Sequence, residues 1–249
     1  MSDASPRRIG VISDIHGNYH ALTAVLDVID NLKVEKVICL GDVVGYGAMP
    51  NECINLLRDR DIPTLAGNHD HAAVGMTDTT YFNDIAKRAI QWTKDCITEE
   101  NATWLKERPY VIEISPHFYF VHASPREPKA WNYVLTFSEA REAFEKFDHD
   151  FCFVGHSHQP VVVEKNGDDL TCPEDFSSTL IKPGCRYLIN VGSVGQPRDH
   201  NPAACFVHVD LDSTLIRFTR VDYEIEAAKD AIMREELPWE LADRLSYGW

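Results

Sequence analysis

Five apolar, strand-like runs in this chain stop at the same kind of residue. Residues 8–13 lead into Asp14-Ile15-His16, and residues 36–40 into Gly41-Asp42. Residues 62–66 lead into Gly67-Asn68-His69-Asp70, residues 117–121 into His122, and residues 151–154 into Gly155-His156-Ser157-His158. Each ending can bind a metal ion or carry a proton. In open α/β sheets, sites form beyond the carboxyl ends of the strands. A chain that repeats this ending five times is expected to fold so that those ends meet.

Taken singly, the endings say little. An Asp in a strand-to-helix turn is usually a cap, and Asn-His-Asp favours turns. Together they form an ordered set. Asp14 and His16 are two residues apart, so an extended chain points both to one side. Asp, His and Asn are donors of intermediate hardness, suited to Mn²⁺, Fe, Zn²⁺, Co²⁺ or Ni²⁺. Asp14, His16, Asp42, Asn68, His122, His156 and His158 are too many ligands for one ion. They suit two ions that share a carboxylate. Two divalent ions, less two carboxylates and a hydroxide, keep a charge of about +1, enough to attract a phosphate oxygen. Such a pair clamps both reacting oxygens of an in-line phosphoryl displacement.

The pattern between the endings sets the fold expectation. Leu22, Val25, Leu26 and Ile29 make a one-sided helix with Asn18 as its N-cap. Helices are also expected at 51–59, 81–97, 101–107, 138–147 and 224–236. Strand, helix, strand, helix, strand over residues 8–66 predicts βαβ units and a mainly parallel sheet. Strand-like runs at 110–114, 117–121, 151–154, 161–164, 187–191, 204–210 and 214–221 predict a largely antiparallel second half. We expect one α/β domain over 1–249: two sheets packed face to face, with helices on the outer faces. Residues 71–107 form a helical insertion in which Met76, Tyr81 and Phe82 could wall the site. Residues 238–249 form a tail with no pattern of their own.

Composition narrows the function. The chain has 249 residues, and its net charge is −15, with 39 acidic against 24 basic residues. That charge disfavours long nucleic acids and anionic membranes as partners. No apolar run reaches the ~18 residues of a membrane span. The polar start, 1–8, lacks the apolar core of a secretory leader. Seven cysteines without a CxxC pair point to free thiols in a reducing, cytoplasmic compartment.

The ordered set D-x-H, G-D, G-N-H-D, H and G-H-S-H resembles that of the calcineurin-like metallophosphoesterases, over residues 9 to about 198. The resemblance implies a two-sheet α/β/β/α sandwich with mixed sheets. It implies one ion on Asp14, His16, Asp42 and His158, and another on Asp42, Asn68, His122 and His156, with Asp42 bridging. His69 would stabilise or protonate the leaving oxygen, and Asp70 would orient His69. A metal-bridging hydroxide would attack phosphorus in line.

The stretch Gly41-Asp42-Val43-Val44-Gly45-Tyr46-Gly47 lacks the second Asp and the Arg of the protein Ser/Thr phosphatases. It and Asn190-Val191-Gly192-Ser193-Val194-Gly195-Gln196-Pro197-Arg198-Asp199 look like the small prokaryotic phosphodiesterases and diadenosine tetraphosphatase-like proteins. Ala123 follows His122 where the family usually has Gly. The implied activity is hydrolysis of small phosphodiesters or phosphomonoesters. One alternative is a dinucleoside polyphosphate or nucleotide hydrolase. Another is a non-catalytic scaffold, as described for a retromer subunit of this fold. Arg198 and Arg126 are candidate contacts to substrate phosphate, and Trp131 and Tyr133 candidate stacking partners for a nucleobase. Gly155 is expected to let the chain turn, so that His156 and His158 reach different ions.

Overall fold

The computed structural model describes residues 6–249. The polar residues 1–5, on which the expectation about a leader partly rests, lie outside the described residues. Two mixed sheets carry the architecture. The first contains β1 (Arg8–Ile12), β2 (Lys36–Cys39), β8 (Ser178–Leu180), β10 (Ala204–Asp210) and β11 (Leu215–Val221), in the order β2-β1-β10-β11-β8. The second contains β3 (Val111–Ile114), β4 (Phe118–Val121), β5 (Phe151–Val154), β6 (Val161–Asn166), β7 (Asp169–Thr171) and β9 (Arg186–Asn190), in the order β3-β4-β5-β9-β6-β7.

The inner strands β1, β4, β5 and β9 are buried on both sides, which is why they read as unbroken apolar runs. Side-chain alternation sorts them. Ile9 and Val11 of β1 and Phe118, Phe120, Phe151 and Phe153 of β4 and β5 meet in a core between the sheets. Tyr119, Val121, Cys152 and Val154 point the other way and pack on α6 (Phe137–Phe144). On the far side of the first sheet, α1 (Tyr19–Asn31) buries Leu22, Val25, Leu26 and Ile29. The Asn18 side chain accepts from the Ala21 amide at 3.1 Å, capping that helix. The helix α2 (Pro50–Asp59) packs in the same layer through Cys53, Ile54 and Leu57.

Three expectations need correction. The first sheet is not mainly parallel. Only β1 and β2 run parallel, because β10 and β11 return from the far end of the chain and pair antiparallel. The second half of the chain is largely antiparallel, as expected, with β4-β5 and β5-β9 as its parallel pairs. Residues 62–66 make only a single bridge, Cys39 to Thr64, in place of a third strand. The 238–249 tail is ordered into α8 (Trp239–Asp243) and a short 3-10 turn. In it, Leu241, Ala242 and Leu245 pack against Tyr46 and against α4 (Asp84–Cys96) and α7 (Ile225–Arg234). No helix among the described residues is long and apolar enough to cross a membrane.

Candidate metal centre

Five strand ends or bridges deliver their loops to one place. The loop after β1 runs beside the loop after β2. His16 donates its amide to Asp42 O at 2.9 Å, and Gly17 donates to Val43 O at 2.8 Å. The short helix α3 (Asn68–Ala73) starts at this point. Its His69 amide donates to the Asp42 carboxylate at 2.8 Å. From the other sheet, the His156 amide after β5 donates to the Asp14 carboxylate at 3.0 Å.

All seven candidate ligands are buried. They fall into two groups, Asp14 with His16 and His158, and Asp42 with His122 and His156. Asn68 joins the second, its Oδ1 lying 3.3 Å from His122 Nε2. The Asp42 carboxylate lies between the groups, with Oδ2 at 3.8 Å from His16 Nε2 and 3.4 Å from His122 Nε2.

The backbone at these residues is unusual. Asp14, His16, Asp42, His156 and His158 all have positive φ, between 50° and 66°. Asp and His tolerate the left-handed region better than most residues, yet each such residue costs about 1–3 kcal/mol. Gly155 is not one of them. A Cβ there would sit 2.2 Å from Ser13 Oγ and 2.5 Å from Asp14 Oδ2. Glycine is needed at 155 for the close approach of the two sheets' loops, and the histidines themselves make the turn. Gly67 has the same role, since a Cβ would lie 2.1 Å from Asp42 Oδ1.

Ring orientation shows what the centre is built to hold. His16 Nδ1 faces Val44 O at 3.1 Å, His122 Nδ1 faces Leu40 O at 3.0 Å, and His158 Nδ1 faces Gln196 O at 2.6 Å. Each Nδ1–H donates to a carbonyl, which turns the Nε2 atoms inward, as in metal-binding histidines. Burial, with the neighbouring His158, pushes His16 well below its usual pKa. His156 is pushed down to about 3 by burial and by His122. Burial acts to raise both carboxyls, but His158 beside Asp14 and His122 beside Asp42 hold them below the usual range. Inward lone pairs and ionised carboxylates with no solvent to screen them make a site that fits divalent cations.

The chain around the ligands is partly as expected and partly not. Asp70 does not touch His69. Its carboxylate accepts from the amides of Val43 (2.8 Å), Val44 (3.1 Å) and Gly67 (3.0 Å), so it ties the Asp42 loop to the start of α3. The reason is steric: α3 turns the Asp70 side chain back toward the Asp42 loop. His69 has no partner on Nδ1 and lies between Tyr46 and Phe82, at ring separations of 4.5 and 4.9 Å. Burial pushes its pKa down to about 4, so it is uncharged at neutral pH.

Phe82 is thus the member of the 71–107 insertion that reaches the site, whereas Met76 and Tyr81 are exposed. Arg126 is not brought to the centre; it pairs with Glu142 on α6 at the surface. Arg198 does lie beside it, 5.9 Å from the Tyr46 ring, and its amide donates to His158 O at 3.3 Å. Tyr133 stacks on His156 at 4.1 Å, and Trp131 meets His122 edge-on at 5.8 Å.

Asn190 was missed as a site residue. Its side-chain amide donates to Gly155 O at 2.7 Å and Ser157 Oγ at 2.9 Å, fixing the turn that carries both histidines. It is the last residue of β9, inside the 187–191 run, and a polar residue within an apolar run could have found it.

The calcineurin-like phosphoesterase superfamily domain matches residues 8–214 of this chain. The chain belongs to this superfamily. An uncharacterised protein of Methanocaldococcus jannaschii is 40% identical over 244 residues, covering 96% of this chain and 98% of that protein. The crystal structure of a metallophosphoesterase from Sphaerobacter thermophilus superposes with a TM-score of 0.84 at 36% identity, over 98% of this chain and 100% of that one. A hypothetical protein of Pyrococcus horikoshii superposes with a TM-score of 0.78 at 22% identity, over 97% and 98% of the two chains, and shares the fold. The superfamily depends on divalent metal, and the two groups of ligands in this phosphoesterase fold are where it would bind.

Proposed function

We propose that this chain is a dinuclear metal-dependent hydrolase of phosphoester bonds in small phosphomonoesters or phosphodiesters. The observation that carries the reading is Asp42, whose carboxylate lies within 3.8 Å of a histidine nitrogen in each group. Asp14, His16, Asp42 and His158 would hold one ion, and Asp42, Asn68, His122 and His156 the other. When bound, two such ions supply Lewis acidity toward a phosphoryl group and lower the pKa of water.

The chain's own residues do the rest. The carbonyls of Leu40, Val44 and Gln196 keep three imidazoles in the tautomer that offers Nε2. Asp70 fixes the loop on which Asp42 sits. His69, uncharged at neutral pH, offers a ring N–H to the leaving oxygen as a hydrogen bond. Arg198 offers a guanidinium to a phosphate oxygen. The substrate is a small phosphorylated molecule, because the ligands lie buried and the protein's net charge of −15 opposes a long polyanion. Seven free thiols suit a reducing compartment such as the cytoplasm. Nothing in the site favours the scaffold reading, since every candidate ligand is present.

The deciding experiment is a metal analysis of the protein as purified, beside a panel of aryl phosphomonoester, aryl phosphodiester and nucleotide substrates with added Mn²⁺, Co²⁺ or Ni²⁺. Two ions per chain and turnover of at least one phosphoester are expected. No turnover of any substrate with any ion would sink the reading.

A further inference from the structure

Main-chain carbonyls orient the rings of His16, His122 and His158, but His69 sits in a cage of other rings. Its Nδ1 is shut off from solvent and has no hydrogen-bond partner among the described residues. Gly45 closes that side, where a Cβ would lie only 2.6 Å from Nδ1. The Tyr46 ring lies at 4.5 Å and the Phe82 ring at 4.9 Å. The His16 ring meets it edge-on at 4.9 Å.

The two outer walls are held from elsewhere in the chain. Tyr46 has a φ of 63°, a strained conformation for a bulky side chain. Its neighbour Gly47 donates its amide to His16 O at 2.9 Å, and a Cβ on Gly47 would lie 2.3 Å from that oxygen. The Tyr46 ring meets His16 at 4.7 Å and packs with Leu241 and Leu245 of the C-terminal segment. Phe82 comes from the 71–107 insertion. Its amide donates to Thr79 O at 2.9 Å. It directly precedes Asn83, whose side chain caps α4 by accepting from the Ala86 amide at 2.8 Å. The cap fixes where the chain enters the helix, and so where Phe82 points.

A buried N–H without an acceptor is costly. A neutral ring in this cage avoids that cost by carrying its proton on Nε2. We infer that Tyr46 and Phe82 are positioning residues that cage His69 and hold it as the Nε2–H tautomer. This is the reverse of the Nδ1–H form that the carbonyls impose on His16, His122 and His158. It makes His69 Nε2 a hydrogen-bond donor in place of a metal ligand. On the phosphoesterase reading above, on which this role rests, the caged Nε2–H is the group that donates to the leaving oxygen. The 71–107 insertion then serves departure of the leaving group and not metal binding.

Two readouts test the cage in the full chain loaded with Zn²⁺. The first is ¹⁵N NMR of the His69 ring at neutral pH, which distinguishes Nε2–H from Nδ1–H. The second is kcat for a phenyl ester against the matching p-nitrophenyl ester, since phenoxide needs a donor on its oxygen far more than nitrophenoxide does. The Nε2–H form is expected in the natural sequence. Phe82→Ala opens one wall to water. The ring signals should move toward a mixture of tautomers, and kcat should fall about tenfold to a hundredfold more on the phenyl ester than on the nitrophenyl ester. Phe82→Tyr keeps a ring and should restore most of both, with metal content the same in all three proteins. An Nδ1–H tautomer in the natural sequence overturns the cage. So does an active Phe82→Ala protein whose tautomer is unchanged, or whose losses on the two esters are equal. A tautomer that depends on Phe82 in a protein that hydrolyses no ester keeps the cage and removes the phosphoesterase reading.

Discussion

His16 Nε2 and His158 Nε2 face each other across 3.1 Å, although both rings use Nδ1–H to donate to main-chain carbonyls. Two inward lone pairs at that separation repel. A cation among them and the Asp14 carboxylate, 3.3 Å from His158 Nε2, turns the repulsion into coordination. Metal loading should therefore raise the melting temperature, by a margin that grows with ion concentration. A melting temperature unmoved by EDTA would contradict this.

Asp42 is the residue on which both groups converge. Asp42→Asn keeps the size and loses the charge. We expect activity to drop at least about 100-fold, beyond the range typical of groups that only support ligands, and metal content to fall below one ion per chain. A variant retaining two ions and full turnover would remove Asp42 from the centre.

His156 and His158 are neighbours that serve different groups. His158→Ala should weaken the ion shared with Asp14 and His16, and His156→Ala the ion shared with Asn68 and His122. Metal titration should then show one tight and one weakened site in each variant, with the identity exchanged. Equal loss of both ions from either substitution would argue against the split.

Proton release should distinguish the two sites. In the metal-free protein, burial opposes charge on His122, but the adjacent Asp42 carboxylate pushes its pKa up to about 9. An ion needs the Nε2 lone pair, so the proton must leave. Affinity at the His122 site should rise with pH, by up to roughly tenfold per unit, and level off above about pH 9. His16 and His158 are lowered and Asp14 is ionised, so the other ion should displace no proton near neutral pH. Calorimetry in two buffers of different ionisation heat counts the protons, and equal release at the two sites would refute the difference.

Asp70 and Gly155 support the ligands from opposite sides. Asp70→Asn removes one acceptor oxygen from three buried amides and should cost about 1–3 kcal/mol, with a 10- to 100-fold loss in metal affinity. Gly155→Ala puts a methyl group against Ser13 and Asp14 and should cost about 1–3 kcal/mol through overpacking. Denaturant melts and metal titrations read both, and a Gly155→Ala protein with unchanged stability would mean that the loops can separate.

Much of the centre was legible because its logic is local. Each candidate ligand follows an apolar run, so Asp14, His16, Asp42, Asn68, His122, His156 and His158, which the fold brings together, could be singled out from one dimension. Asn18 as a helix cap was legible for the same reason. What depends on distant chain was not. Strand periodicity says which residues are buried but not which strand lies alongside, so the antiparallel β10 next to β1 was invisible. Asp70 looked like a partner for its neighbour His69, but a helical turn sends its carboxylate to Val43 and Val44. The short α8 has too few residues to show a period, and its packing on Tyr46 is tertiary.

The position of β10 also sets a calendar. β1 delivers Asp14 and His16, yet its neighbours are β2 and β10, and β10 spans Ala204–Asp210. Every candidate ligand is synthesised by residue 158, some fifty residues before that flanking strand. A growing chain therefore carries a full set of metal donors before it has the sheet that aims them. A chain cut short before β10 would have the candidate donors of the centre without the sheet that aims them.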